Sequence, residues 1–200
     1  MINCVQLSAR CLSKIPAVSS SLRLLHTSYP VTSKRITVFS DLKGLTSTPT
    51  PALSLGLAGL LPFVSAPVYM YNSGFFLPEV ATAQLTYGAT ILSFLGGVRW
   101  GLLVHGSPSL PPSWSQYSWS VTPSLIAWVA LLIPNFVVSC SLCSSGLLAA
   151  LILDLQQQGY PGWFRGLRFI LSLGAILSLL ATMFLTQTLG VKKQASDYLT

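Results

Sequence analysis

Arg99 stands in Leu92-Ser-Phe-Leu-Gly-Gly-Val-Arg-Trp-Gly101, a cation inside an otherwise apolar stretch long enough to cross a membrane. A guanidinium at mid-membrane costs roughly 3 kcal/mol on insertion scales, so such residues mark buried pairs, ligand contacts or ion pathways. Two kinds of company are open to it. Asp154 lies near the end of another apolar stretch, at a compatible depth if the two run antiparallel, and a bidentate contact would tie the two helices together. Alternatively the side chain snorkels: about five residues, ~7.5 Å, separate it from the end of its stretch, within reach of headgroup phosphates. Glu79 is twenty residues earlier on the same helix, roughly 30 Å away, which excludes it as a direct partner.

Other chemically suggestive groups are sparse. Cys140 and Cys143 form a CxxC, a redox or metal signal in soluble proteins, but they sit among Ser139, Ser141, Ser144 and Ser145 in an apolar stretch and read as a small, packable helix surface. Of two histidines, His26 belongs to the amino-terminal segment, which leaves His105 alone and excludes a bis-histidine haem. Zinc is disfavoured for the same reason. No acid occupies the centre of an apolar stretch, so no proton relay is visible, and there is neither a Gly-rich phosphate loop nor a nucleophile–base constellation. The expectation is a chain with no catalytic residues, no metal and no cofactor.

The elements that must position these residues follow from composition. Hydrophobic residues make up 52% of the 200-residue chain and charged ones only 8%, about a third of the share in a soluble domain. The net charge of +7 could suggest nucleic acid. However, Arg10, Lys14, Arg23, Lys34, Arg35 and Lys43 all precede the first apolar stretch, and no basic face remains to track phosphates. Five apolar stretches follow, at lengths that match ~30 Å of hydrocarbon at 1.5 Å per helical residue. They run over 51–71, 80–104, 114–133, 136–155 and 166–189. The third is the weakest, because its strongly apolar part begins only at Val121 and Pro123 removes a backbone donor. Pro134-Asn135 makes a tight turn, so the third and fourth spans form an antiparallel hairpin, and Pro62 and Pro67 kink the first. The fold class expected is all-α: a polytopic membrane helix bundle of about five transmembrane helices after a cleavable presequence.

That presequence is assigned to residues 1–32. Met1 to Pro30 holds Arg10, Lys14 and Arg23, many serines and no acid, with Leu7, Leu12, Ile15, Val18, Leu22 and Leu25 spread at near-helical intervals. This is transit-peptide composition; a secretory signal would show one unbroken apolar core. Arg23-Leu-Leu-His-Thr-Ser28 resembles the presequence pattern that places a mature start near Ser33, so Cys4, Cys11 and His26 would leave with the segment. The alternative is a disordered basic tail on a protein of another cellular membrane. A polar linker at 33–50, a membrane domain at 51–190 and a short tail at 191–200 complete the organisation.

Lysine and arginine beside the spans set orientation, since the uncleaved side holds their excess. Lys34, Arg35, Lys43, Arg99, Arg165 and Arg168 fall on one side, and Glu79 and the Lys192-Lys193 tail on the other. This places the amino terminus in the mitochondrial matrix and the carboxyl terminus in the intermembrane space. Trp100, Trp114, Trp119 and Trp163 fall near the matrix boundary, as an interfacial aromatic belt requires.

Leu55-Gly-Leu-Ala-Gly-Leu-Leu-Pro-Phe63, Tyr87-Gly-Ala-Thr-Ile-Leu-Ser-Phe-Leu-Gly-Gly-Val-Arg-Trp-Gly101, Trp119-Ser-Val-Thr-Pro-Ser-Leu-Ile-Ala-Trp128 and Pro161-Gly-Trp-Phe-Arg-Gly-Leu-Arg168 resemble blocks of the transmembrane protein 69 family. The resemblance covers most of 51–189. It implies a multi-span helical membrane protein with bacterial relatives and unknown molecular function, and it brings no catalytic residues.

The second span carries Ala89, Ser93, Gly97 and Gly101 at every fourth position, a ridge that lets helix backbones approach closely. Arg99 lies about 200° around the helix from Gly97 and points away from that ridge. Gly174, Ser178, Thr182 and Thr186 form a matching ridge in the fifth span, the natural candidate to meet the first. Three classes of function remain. A structural or assembly role with another inner-membrane complex leads; transport of a small anionic or lipidic molecule through proline-broken spans follows; a membrane enzyme comes last. The lipid bilayer is the expected partner in all three, and nucleic acid in none.

Overall fold

The computed structural model describes residues 44–106, 112–157 and 160–197, with side chains through Leu189. The presequence assigned to 1–32, the linker as far as Lys43 and the side chains of the tail therefore lie outside the described residues. Everything described belongs to one folded unit, Arg35–Thr200, and is helical apart from short connections. A single 3-10 turn, Gly44–Ser47, leads into α1 (Thr50–Ala58) and α2 (Leu61–Ser73). Four more helices follow: α3 (Pro78–His105), α4 (Trp114–Leu132), α5 (Phe136–Gln156) and α6 (Gly162–Asp197).

Local sequence explains where each helix starts and stops. Pro78 opens α3 at a position whose N–H has no intrahelical partner in any case. The Ser113 and Asn135 side chains cap α4 and α5 by accepting from Gln116 N at 3.3 Å and Val138 N at 3.2 Å. Gly74 and Gly106 end α2 and α3 in the left-handed conformation, φ 71° and 74°, which glycine adopts without a Cβ penalty.

The first span is one crossing made of two helices. Pro62 has no N–H to bond back with, and the chain breaks at Gly59–Leu60 between α1 and α2. The hydroxyl of Tyr87, from α3, donates to the Gly59 carbonyl at that break, 3.1 Å. Pro67, inside α2, deprives the Phe63 carbonyl of its usual donor, and buried Gln84 of α3 supplies Nε2 at 2.8 Å instead. Two donors from one neighbouring helix thus serve the irregular backbone of this span, one at the Gly59–Leu60 break and one at the Pro67 defect, as irregular backbone in a membrane requires.

Four segments are long and apolar enough to cross a membrane: Thr50–Ser73, Pro78–His105, Phe136–Gln156 and Gly162–Leu189. The expected third span, α4, is a 19-residue helix whose first two turns, Trp114-Ser-Gln-Tyr-Ser-Trp-Ser120, leave it less apolar than those four. Three of its hydroxyls are satisfied within the helix: Ser118 donates to Trp114 O at 2.8 Å, Ser120 to Tyr117 O at 2.6 Å and Thr122 to Ser118 O at 2.8 Å. It runs antiparallel to α3, with which it makes the most extensive pairing among the described residues, and to α5. The α4–α5 hairpin forms at Pro134-Asn135, where Ser139 donates to the Ala130 carbonyl and to Ile133 O at 3.0 Å.

Small residues set the packing. The main core joins Phe63, Leu92, Leu147 and Leu179 to Ala89, Ala127, Ala130 and the Cys140–Cys143 face of α5. Meanwhile Leu55, Phe94, Leu125, Trp128 and Phe184 point outward, large apolar side chains where a bilayer would meet them.

The ridges distribute differently from expectation. Ala89 is buried, but Gly97 and Gly101 are exposed, with open space around the position a Cβ would take. The close approach on α3 is made one residue earlier, by Gly96, which lies against the Ser120 carbonyl of α4. The packed face is the one carrying Gly88, Leu92, Gly96 and Arg99, because α4 and α5 cover that side. On α6, Ser178 and Thr182 are buried, while Gly174 meets Leu60 from the α1–α2 break rather than the α3 ridge.

Candidate functional site

The carboxyl ends of α3 and α5 and the amino ends of α4 and α6 meet at one end of the bundle. Their polar residues converge there. Asp154 lies in the last turn of α5, and Arg168 two turns into α6. These helices are joined by the connection through Pro161, and the two residues stand at equal chain distance on either side of that proline. They form the ion pair: Arg168 Nε donates to Asp154 Oδ2 at 2.9 Å, and Nη2 lies 2.8 Å from the same oxygen. Both side chains are buried.

Arg99 turns inward instead of snorkelling. It is only 7% exposed, and its Nη2 donates to Gln116 Oε1 of α4 at 2.6 Å. Its Nε and Nη1 are buried without a hydrogen-bond partner among the described residues. The expected Arg99–Asp154 contact is replaced by two separate pairings, because each arginine meets the polar side chain facing it across its own antiparallel helix pair. Beside Arg99, the rings of Trp100 and Tyr117 stack edge to face with centroids 5.0 Å apart.

Tyr160, in the connection between α5 and α6, feels this cluster. Burial pushes its phenol up from 10.0 to about 12, and the Asp154 charge adds to that, while Arg168 and Arg99 oppose it. Its hydroxyl is buried without a partner among the described residues, and its ring packs on Phe164 with centroids 4.6 Å apart.

Next to the ion pair lies a cavity of about 400 Å³, within the range of small-molecule sites. Its walls are apolar: Gly56, Leu60 and Phe63 of α1–α2, Ile91 and Phe94 of α3, Leu171 of α6. Asp154, Arg168 and Ser172 supply its polar wall. Exposed Leu55 and Phe94 line it as well, so it opens sideways onto the outer surface. The break at Gly59–Leu60 helps to make this space, since two short helix segments replace a continuous wall.

No three His, Cys, Asp or Glu side chains converge as a metal site among the described residues. Cys140 and Cys143 are buried, unbridged and part of the α5 packing face; a Cβ on Gly88 would stand 3.3 Å from Cys143 Sγ.

Comparison with known proteins accounts for most of this bundle. The family described as "Protein of unknown function (DUF3429)" matches residues 48–184. A frog relative from Xenopus tropicalis, Transmembrane protein 69, is 48% identical over 145 residues, 72% of this chain. The chain belongs to the transmembrane protein 69 family. The mouse Transmembrane protein 69 (Mus musculus) is 34% identical over 149 residues, 73% of the chain. The matched parts span 57% of the frog protein and 60% of the mouse protein. No solved structure matches. Membership in the transmembrane protein 69 family and the apolar helices make this an integral multi-pass membrane protein.

Sequence reasoning found Asp154 and Arg99 but missed Arg168, Gln116 and Ser172 as members of the site. The available signal was hairpin symmetry. Arg99, six residues before the end of α3, meets Gln116 two residues into α4, and Arg168, six residues into α6, meets Asp154 two residues before the end of α5.

Proposed function

We propose that this membrane protein holds a lipidic molecule in its lateral cavity, in the mitochondrial inner membrane, either to carry it across the bundle or to keep it as a bound constituent. The observation that carries this reading is the apolar cavity opening between exposed Leu55 and Phe94 and ending on the buried Asp154–Arg168 pair. An apolar space with a few convergent polar groups is the usual form of a ligand site. Catalysis and cofactors form no part of it.

The mitochondrial assignment draws on the acid-free, Arg- and Ser-containing composition of Met1 to Pro30. Arg99, Arg165 and Arg168 gather at one end of the bundle, while Glu79 opens α3 at the other. The positive-inside bias assigns the arginine end to the matrix. The 3-10 turn lies at this end too, since a Cβ on Gly44 would stand 3.2 Å from Trp163 N. The amino-terminal side of the membrane domain is then in the matrix. With α4 as a fifth crossing, packed on α3 and α5 through its buried Ser120, Pro123, Ala127 and Ala130, the carboxyl terminus faces the intermembrane space.

The test is extraction of the lipid that co-purifies with the protein in mild detergent, compared between wild type and Ala52→Trp, which fills the cavity from its half-buried wall. A specific lipid retained by wild type and lost from the variant supports the reading. Identical lipid content in the two would refute it. A second reading, assembly with another inner-membrane complex, is favoured by the exposed Gly97 and Gly101 surface, where a partner helix could approach closely. Co-migration with a large complex on a native gel would support that alternative.

A further inference from the structure

We propose that the cavity selects an acyl-chain amphiphile with an anionic head group, the head held by Arg168 and Ser172 and the chain lying along α1–α2, α3 and α6. This rests on the cavity being a lipid site and adds the chemistry of what enters it.

Charge is the first argument. Two buried guanidiniums, Arg99 and Arg168, converge with one carboxylate, Asp154. Glu79 begins α3 at the opposite end, Asp197 ends α6 at that same opposite end, and Asp41 lies outside the described residues. Asp154 can neutralise one arginine, and it is committed to Arg168. Arg99 meets only the neutral amide of Gln116, and its Nε and Nη1 have no hydrogen-bond partner among the described residues. Arg99 stands behind the cavity wall rather than on it, but its charge reaches Asp154, so the cluster as a whole is net positive, and in a low-dielectric interior that favours an anionic head over a neutral or cationic one.

The second argument is a waiting donor. Ser172 lies one helical turn beyond Arg168 on the same face of α6, is 3% exposed, and lines the cavity. Its Oγ has no hydrogen-bond partner among the described residues. A buried hydroxyl left unmatched is costly, and an anionic oxygen beside Arg168 would accept from it. The rest of the lining is apolar, and about 400 Å³ holds one acyl chain, so a two-chain lipid would leave its second chain outside the lateral opening beside exposed Leu55 and Phe94.

The anionic oxygen could belong to a free fatty acid or to a bilayer phospholipid, and the two share this recognition chemistry. The experiment measures binding of palmitate and of hexadecanol to the delipidated full-length protein in neutral detergent, with phosphatidic acid as a competitor. Palmitate should bind at least about tenfold more tightly than the alcohol, which differs only in the head. Ser172→Ala should weaken palmitate several-fold and leave hexadecanol unchanged. Competition by phosphatidic acid assigns the site to bilayer phospholipid, and failure to compete assigns it to the free acid; both agree with an anionic head. Equal affinity for palmitate and hexadecanol overturns the anionic head while the lipid cavity stands. If neither binds, and Ala52→Trp retains the lipid content of wild type, both readings fall.

Discussion

Arg168 grips a single oxygen of Asp154, with Nε at 2.9 Å and Nη2 at 2.8 Å, and this contact ties the carboxyl end of α5 to the start of α6. Both partners are buried, so removing one strands a charge in the bundle, a change that costs about 3–5 kcal/mol in comparable buried pairs. Asp154→Ala should therefore lower the melting temperature in detergent sharply. The exchange Asp154→Arg with Arg168→Asp should recover part of that loss. Arg99→Asp with Asp154→Arg should recover less, because Arg99 bonds Gln116 instead. Equal rescue by both exchanges would show that the pairing is not specific to Arg168.

Gly96 and Gly97 are adjacent, yet only Gly96 is pressed against a neighbour. A Cβ there would collide with the Ser120 carbonyl, whereas at Gly97 nothing lies within 4 Å. Gly96→Ala should cost about 1–3 kcal/mol by forcing α3 and α4 apart. Gly97→Leu should leave the thermal stability of the purified protein close to wild type. If Gly97→Leu removes the protein from a larger complex on a native gel while its own stability holds, the exposed face is a partner surface.

The helical membrane bundle was legible because apolar runs of span length leave few alternatives, and the α4–α5 hairpin because Pro134-Asn135 has no other use. The packed face of α3 was not. A four-residue spacing of small residues marks two adjacent faces of this helix, Gly96 on one and Gly97 on the next, and only the neighbours decide which is covered. Arg168 escaped notice for a related reason: it sits in a basic run, Arg165-Gly-Leu-Arg168, that also reads as a charged loop at the membrane edge. The cavity had no signature at all, since it arises from how α1 and α2 break against α6.

Gln84 and Pro67 form a matched pair. Pro67 leaves the Phe63 carbonyl without its intrahelical donor, and Gln84 Nε2 fills the vacancy at 2.8 Å. Gln84→Leu should cost about 1–3 kcal/mol, the penalty for a buried acceptor left unmatched. In a Pro67→Ala background the backbone N–H returns and the same substitution should cost markedly less. A double-mutant cycle on thermal stability measures the difference; additivity would mean that the glutamine stabilises by packing alone.

Tyr160 gives a pH signature confined to the charged end. Its folded-state pKa is raised from 10.0 to about 12, chiefly by burial and then by Asp154, so the folded protein holds this proton more tightly than the unfolded chain. Its contribution to stability is therefore complete below pH 10 and is lost as pH rises through about 12. Tyr160→Phe should flatten that decline. Because the hydroxyl is buried without a partner among the described residues, the variant should also match or exceed wild-type stability at neutral pH. Thermal melts of both proteins between pH 8 and 11 provide the measurement. A steep neutral-pH loss in Tyr160→Phe would instead mean that the hydroxyl is bonded, and a ligand head group in the adjacent cavity would be the first partner to look for.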